Sequence, residues 1–124
     1  MLEVLDQQGA MGPYSTAIRS NGFVYLSGQG GLDPATGKRV PGGIQAETLQ
    51  TVANMEALLG RAGLSLMDLI SVTCYLVDLD EWEMMNRAYS TALGDARPVR
   101  TAVGVSALPF GLRLEMTAIA DAAR

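Results

Sequence analysis

Residues Ile70–Gly94, ISVTCYLVDLDEWEMMNRAYSTALG, change their hydrophobic period part-way along, and that change decides the fold class. Over Ile70–Val77 the side chains alternate, with Ile70, Val72, Cys74 and Leu76 on one face and Ser71, Thr73, Tyr75 and Val77 on the other. Alternation in a run rich in β-branched residues describes a mostly buried strand. Beyond Asp80 the spacing turns helical: Trp82, Met85, Tyr89 and Leu93 form one stripe, and Gly94 ends it. Asp80 is a candidate N-cap, Glu83 falls at N3, and Leu79 with Met84 has the spacing of a hydrophobic staple.

Upstream, Ile44, Thr48, Val52, Met55, Leu59 and Ala62 recur at spacings of three and four, which predicts a helix of about five turns closed by Gly63. Before it, Tyr14–Arg19 and Phe23–Ser27 flank Ser20-Asn21-Gly22, and Asn-Gly between strand-like runs signals a tight hairpin. Leu2–Leu5 is a candidate short strand. The Gly/Pro-rich stretch Gly28–Gly43 holds the turn Asp33-Pro34-Ala35-Thr36-Gly37 and reads as a loop inside one domain. Downstream, Val99–Val105 and Leu112–Ala120 are strands, joined through Pro109 and Gly111. The order β-β-α-β-α-β-β favours an α+β sheet with helices on one face.

A single domain over residues 1–124 suits this length, and such a chain buries roughly two-thirds of its unfolded surface. Nine Lys and Arg against 13 Asp and Glu leave a net charge of −4, which argues against a nucleic-acid-binding surface. With no histidine and one cysteine, catalytic triads, Cys–His pairs, disulfide frameworks and imidazole or multi-cysteine metal sites are excluded. No metal or cofactor is expected. The N-terminus lacks a basic leader, and no apolar run approaches the ~20 residues of a bilayer span, so a soluble, cytoplasmic protein without membrane contact is expected.

Chemistry must then run on carboxylate, guanidinium, hydroxyl and backbone groups. On the closing strands, Val99, Thr101, Val103 and Val105 share one face and Arg100, Ala102 and Gly104 the other. On the last strand Leu112, Leu114, Met116, Ala118 and Ala120 oppose Arg113, Glu115, Thr117 and Ile119. If the apolar faces lie under the helices and the two strands pair, Arg100 and Glu115 project together from the opposite face, beside the room left by Ala102 and Gly104. Arg100 suits bidentate capture of a carboxylate, and a partly buried Glu115 suits proton transfer through water. A cross-strand ion pair on a solvated face is the plainer alternative. Ser27-Gly28-Gln29-Gly30-Gly31 is no phosphate cradle, since neither Lys-Ser/Thr nor a helix follows it. Tyr14 reads as a packed aromatic with a wet hydroxyl, Asn86 as a loop-bonding side chain, Met84 and Met85 as filler, and Cys74 as an inert small apolar residue.

Along nearly its whole length the sequence resembles the RidA (YjgF) family of small imine deaminases. The matching segments are Gly12-Pro13-Tyr14, Ser27-Gly28-Gln29, Asp33-Pro34-x-Thr36-Gly37, Ala62-Gly63-Leu64, Val77-Asp78-Leu79, Asn86-x-x-Tyr89, Arg97-Pro98-Val99-Arg100, Leu108-Pro109 and Glu115-x-x-Ala118-Ile119-Ala120. The resemblance implies a chorismate-mutase-like mixed sheet with two helices on one face, forming a barrel-cored homotrimer with a pocket at each subunit interface. Leu49, Ala53 and Leu58, flanking the main helix stripe, would then have less need to lie in the core.

The implied reaction is hydrolysis of 2-imino acids and their enamine tautomers to 2-keto acids and ammonia. By position, Arg100 would bind the substrate carboxylate with the backbone N–H of Ala102, and Glu115 would position or activate water. Tyr14, Ser27 and Gly28 would line the pocket, and Asn86 falls on a family motif beside it. Three departures stand out. Ala102 replaces a cysteine common in deaminase members. Gly30 replaces a branched apolar residue, which would widen the pocket or loosen its loop. Arg97 and Val99 replace an aromatic residue and an alanine, which bears on substrate preference. A non-catalytic trimeric module that binds or senses small carboxylates is the alternative, and nucleic-acid cleavage is disfavoured by charge and by the absence of histidine.

Overall fold

The computed structural model describes residues 2–6 and 10–123. Six strands, β1 (Leu2–Asp6), β2 (Ala17–Ser20), β3 (Phe23–Gly30), β4 (Leu69–Leu76), β5 (Val99–Gly104) and β6 (Leu114–Asp121), form one mixed sheet in the order β1-β2-β3-β6-β4-β5. Neighbours run antiparallel except β4 and β5, which are parallel and joined by a helical crossover. Two helices, α1 (Gly43–Arg61) and α2 (Trp82–Leu93), pack on each other and cover one face. The core lies between these layers: Val24, Val72, Cys74, Leu76, Leu114 and Met116 from the sheet meet Ile44, Val52, Met55, Leu59, Met85 and Leu93 from the helices.

Local chemistry explains the elements. Asn21 and Gly22 both adopt positive φ, 52° and 82°, as the two-residue turn between β2 and β3 demands. Ile44, Thr48, Val52, Met55 and Leu59 of the α1 stripe are buried as their spacing predicts, the partly buried Ala62 is the C-cap, and Gly63, at φ 76°, leaves the helix in the left-handed region. In the loop after β3, the Asp33 carboxylate accepts from Ala35 N at 2.8 Å and its carbonyl from Gly37 N at 2.7 Å, closing the expected turn.

Several expectations need correction. Asp80 does not cap α2: Asp78 accepts from Asp80 N at 2.9 Å and starts a single 3-10 turn, Leu79–Glu81, that runs into the helix. Leu79 and Met84 are both largely exposed, so no staple forms. Leu58 is buried in the core, whereas Leu49 and Ala53 stay exposed. Tyr14 lies in a bend three residues ahead of β2 rather than in a strand.

The largest correction concerns β5. The strand pairs with β4, not β6, and its register sets Arg100 opposite Val72 and Ala102 opposite Cys74. Paired residues share a face, so Arg100 and Ala102 point to the helix side, and Val99, Thr101 and Val103 to the open side. Glu115 is opposite Tyr75, on the open side. On β6 the alternation holds as the spacing predicts, with Leu114, Met116, Ala118 and Ala120 buried. On β5, an edge strand, the apolar parity faces away from the helices because the aromatic rings of α2 supply a different cover, described below.

Candidate active site

The predicted site residues fall into two groups that do not meet within the chain. The first lines a cleft of about 450 Å³ and includes Tyr14, Ser27, Gly28 and Glu115, together with Phe110 and Leu112. A β-bulge between Leu26 and Gln29 carries Ser27 and Gly28. Ser27 is fixed to the segment before β2, its N–H donating to the Thr16 carbonyl at 3.0 Å. Tyr14 closes a small turn: its N–H donates to Gly12 O at 2.8 Å and its hydroxyl accepts from Met11 N at 3.2 Å.

Glu115 approaches the bulge so closely that a Cβ on Gly28 would lie 2.7 Å from the Glu115 carboxyl carbon. Only glycine admits the carboxylate there. Among the described residues this carboxylate has no hydrogen-bond or ion-pair partner, and burial pushes its pKa up. A half-buried carboxyl group whose proton affinity is raised by burial, beside an open cleft, suits proton transfer to and from water.

Gly30 neither widens the cleft nor loosens the loop. The space a side chain at 30 would occupy is filled by the Leu112 side chain. The loop is pinned by Asn54 of α1, whose amide nitrogen donates to Gly30 O at 3.0 Å and Leu32 O at 2.9 Å while Gln50 donates to its oxygen at 2.9 Å. Sequence reasoning missed Asn54; a Gln-Asn pair four residues apart beside a buried helix stripe was the available signal.

The second group surrounds Arg100. Its guanidinium carbon lies 4.7 Å from the Tyr89 ring centroid and 5.5 Å from that of Trp82. Asn86 is one turn from each on α2, so helical spacing sets it on the same face. Among the described residues Arg100 makes no hydrogen bond and no ion pair. Neighbouring Arg97, by contrast, is turned back on the end of α2, donating to Gly94 O at 2.6 Å and Ala96 O at 2.7 Å. Cys74 lies across from Ala102 on the neighbouring strand. Burial pushes that thiol up to about 11 against a smaller opposing pull from Arg100, which leaves it an unreactive core residue at neutral pH. Among the described residues no group of acidic or thiol side chains is arranged to hold a metal ion. No described helix is long and apolar enough to cross a membrane.

A family profile described as Endoribonuclease L-PSP matches residues 5–122. The chain is 40% identical to the mouse 2-iminobutanoate/2-iminopropanoate deaminase over 111 residues, covering 90% of this chain and 82% of that one. It is 42% identical over 123 residues to a RutC family protein of Pyrococcus horikoshii, covering 97% and 98%. The fold superposes on E. coli TdcF, solved with bound serine, with a TM-score of 0.86 and 31% identity over 98% of this chain and 97% of that one. With a profile matched along almost its whole length and relatives of this identity, the chain belongs to the RidA (YjgF) family.

Proposed function

We propose that this protein hydrolyses 2-imino acids, with their 2-aminoacrylate-type enamine tautomers, to 2-keto acids and ammonia, at sites formed between copies of the chain in a homotrimer. One observation carries the reading: a guanidinium and a carboxyl of raised pKa, each unpaired among the described residues, occupy separate halves of the same chain. Neither half suffices for imine hydrolysis. A ring built from heterologous contacts brings the Arg100 half of one copy against the Glu115 half of the next. The exposed Tyr25, Val99 and Val103 on the open sheet face supply apolar surface for such contacts. The name of the mouse relative supports the reaction, and the serine in TdcF supports a ligand with an α-carboxylate.

In this mechanism the Arg100 fork, aided by the Ala102 N–H, grips the substrate carboxylate, and Asn86 flanks it. Tyr14, Ser27 and the Gly28 backbone line the other wall. Glu115 takes a proton from water as its oxygen attacks the iminium carbon. It returns that proton to the nitrogen, and as the C–N bond breaks and ammonia leaves, the new hydroxyl gives its proton to Glu115 and becomes the keto oxygen. An iminium carbon is already electrophilic, so orientation and proton transfer suffice, general acid–base help contributing ~10²–10⁴ in rate.

The test is a trapping assay. An amino-acid oxidase generates imino acids in semicarbazide, and the protein competes with the trap. Wild type lowers semicarbazone formation, while folded Arg100→Ala and Glu115→Ala proteins do not. Arg100-dependent binding of a small carboxylate without ammonia release would favour the non-catalytic module instead. The endoribonuclease wording of the family description finds no support in a chain of net charge −4 with no histidine.

A further inference from the structure

A lone cation on a half-buried surface is usually held by a carboxylate, yet Arg100 is held by rings. We infer that Trp82 and Tyr89 are positioning residues, fixing the Arg100 guanidinium by their π-faces in place of a counter-ion so that its hydrogen-bonding edge stays free for a ligand carboxylate. The inference rests on Arg100 being the carboxylate clamp of the proposed reaction.

The physical logic is one of competition. A guanidinium carries its five donors in its own plane, so a carboxylate partner takes up the edge that a substrate carboxylate must use. An aromatic face meets the flat side of the group and leaves that edge open. Trp82 and Tyr89 are seven residues apart on α2, two turns along one face, and Arg100 lies within reach of both centroids, at 5.5 and 4.7 Å. The Tyr89 hydroxyl points the same way: it is buried with no hydrogen-bond partner among the described residues. A tyrosine kept for structure normally satisfies that group. Here the ring face is the part of Tyr89 with an identified partner. Burial raises the phenol to about 12, so it stays neutral and offers Arg100 no competing anion at neutral pH.

Trp82 is the single tryptophan, so its emission reports on this half-site directly. The assembled protein is titrated with 2-oxobutanoate, and with the matching amide as a probe lacking the carboxylate. Wild type gives a saturable change in Trp82 emission with the acid and none with the amide; Arg100→Ala gives none with either. Tyr89→Phe keeps the wild-type affinity, because the ring remains, whereas Tyr89→Leu weakens it roughly two- to thirty-fold, the range of a cation–π contact. Trp82 is partly exposed, so Trp82→Leu folds even if Tyr89→Leu does not. In the trapping assay Trp82→Leu raises KM by a similar factor, and Trp82→Phe restores it. An unchanged affinity in Tyr89→Leu together with an unchanged KM in Trp82→Leu overturns the inference while leaving the deaminase reading intact. So does a Tyr89→Phe loss as large as that of Tyr89→Leu, which would assign the effect to the hydroxyl. Ring-dependent binding of 2-oxobutanoate in a protein that never releases ammonia would instead end the deaminase reading and keep the inference.

Discussion

Arg100 on β5 and Glu115 on β6 face opposite sides of one sheet, with β4 between their strands: Val72 is the register partner of Arg100, and Tyr75 that of Glu115. Two groups so placed cannot act on one small molecule within a chain. If the proposed sites are shared between copies, a sharp prediction results. Arg100→Ala and Glu115→Ala chains, each inactive alone, recover activity when co-expressed. In a random ring at equal expression, about one quarter of the interfaces join an intact Arg100 to an intact Glu115. Recovery near that fraction, read by semicarbazide trapping, is expected; no recovery would mean the halves do not meet across an interface.

Gly28→Ala should separate activity from stability. The added Cβ meets the end of the Glu115 side chain, 2.7 Å away, and a flexible side chain can swing aside at little cost. The melting temperature therefore moves little. The displaced carboxyl loses its position, and misplacement by about 1 Å can cost ~10²-fold in rate. Kinetics and calorimetry on the same preparation check both parts.

Burial raises the Glu115 pKa, so the folded state binds its proton more tightly than the unfolded chain does. Between the unfolded and folded values the native state carries the extra proton, and stability falls as pH rises through that window. Above the folded value the penalty is fully present; below about pH 4, where both states are protonated, it is absent. Glu115→Gln should accordingly raise the melting temperature at pH 8 and leave it nearly unchanged near pH 3.5. An equal gain at both values would assign the effect to packing.

Arg113 is held twice, in ways that should differ in worth. Its backbone N–H donates to the buried Glu47 carboxylate at 2.8 Å, and its side chain pairs with Glu81 at 2.7 Å near the surface. Glu47→Ala strands a partly buried N–H and empties a packed site, costing about 2–3 kcal/mol. Glu81→Ala removes a half-exposed ion pair worth about 1 kcal/mol or less. Urea denaturation of the two variants tests the order.

Much of the fold was legible because its signals are local. Asn21-Gly22 needs only its own dihedrals to make a hairpin, and the stripe of α1 needs only its own spacing. The division of the site was not legible, since it depends on β6 lying between β3 and β4 and leaving β5 at the edge. No spacing along the chain encodes that order. On β5 both faces offer small or branched side chains, so alternation could not say which side the helices cover. Arg100, Glu115, Tyr14, Ser27 and Gly28 were reached through their residue types and family motifs, whereas the ring contacts to Arg100 and the Asn54 bonds required the packing of helices on the sheet.

Leu112 standing in the space above Gly30 ties the two positions together in this chain. A branched residue introduced at 30 meets the end of the Leu112 side chain, which is itself buried and has to move. Overpacking of that kind costs about 1–3 kcal/mol, and trimming Leu112 alone leaves a hole. Gly30→Val made alone in this chain is therefore costlier than the same change made together with Leu112→Ala, and the two substitutions do not add.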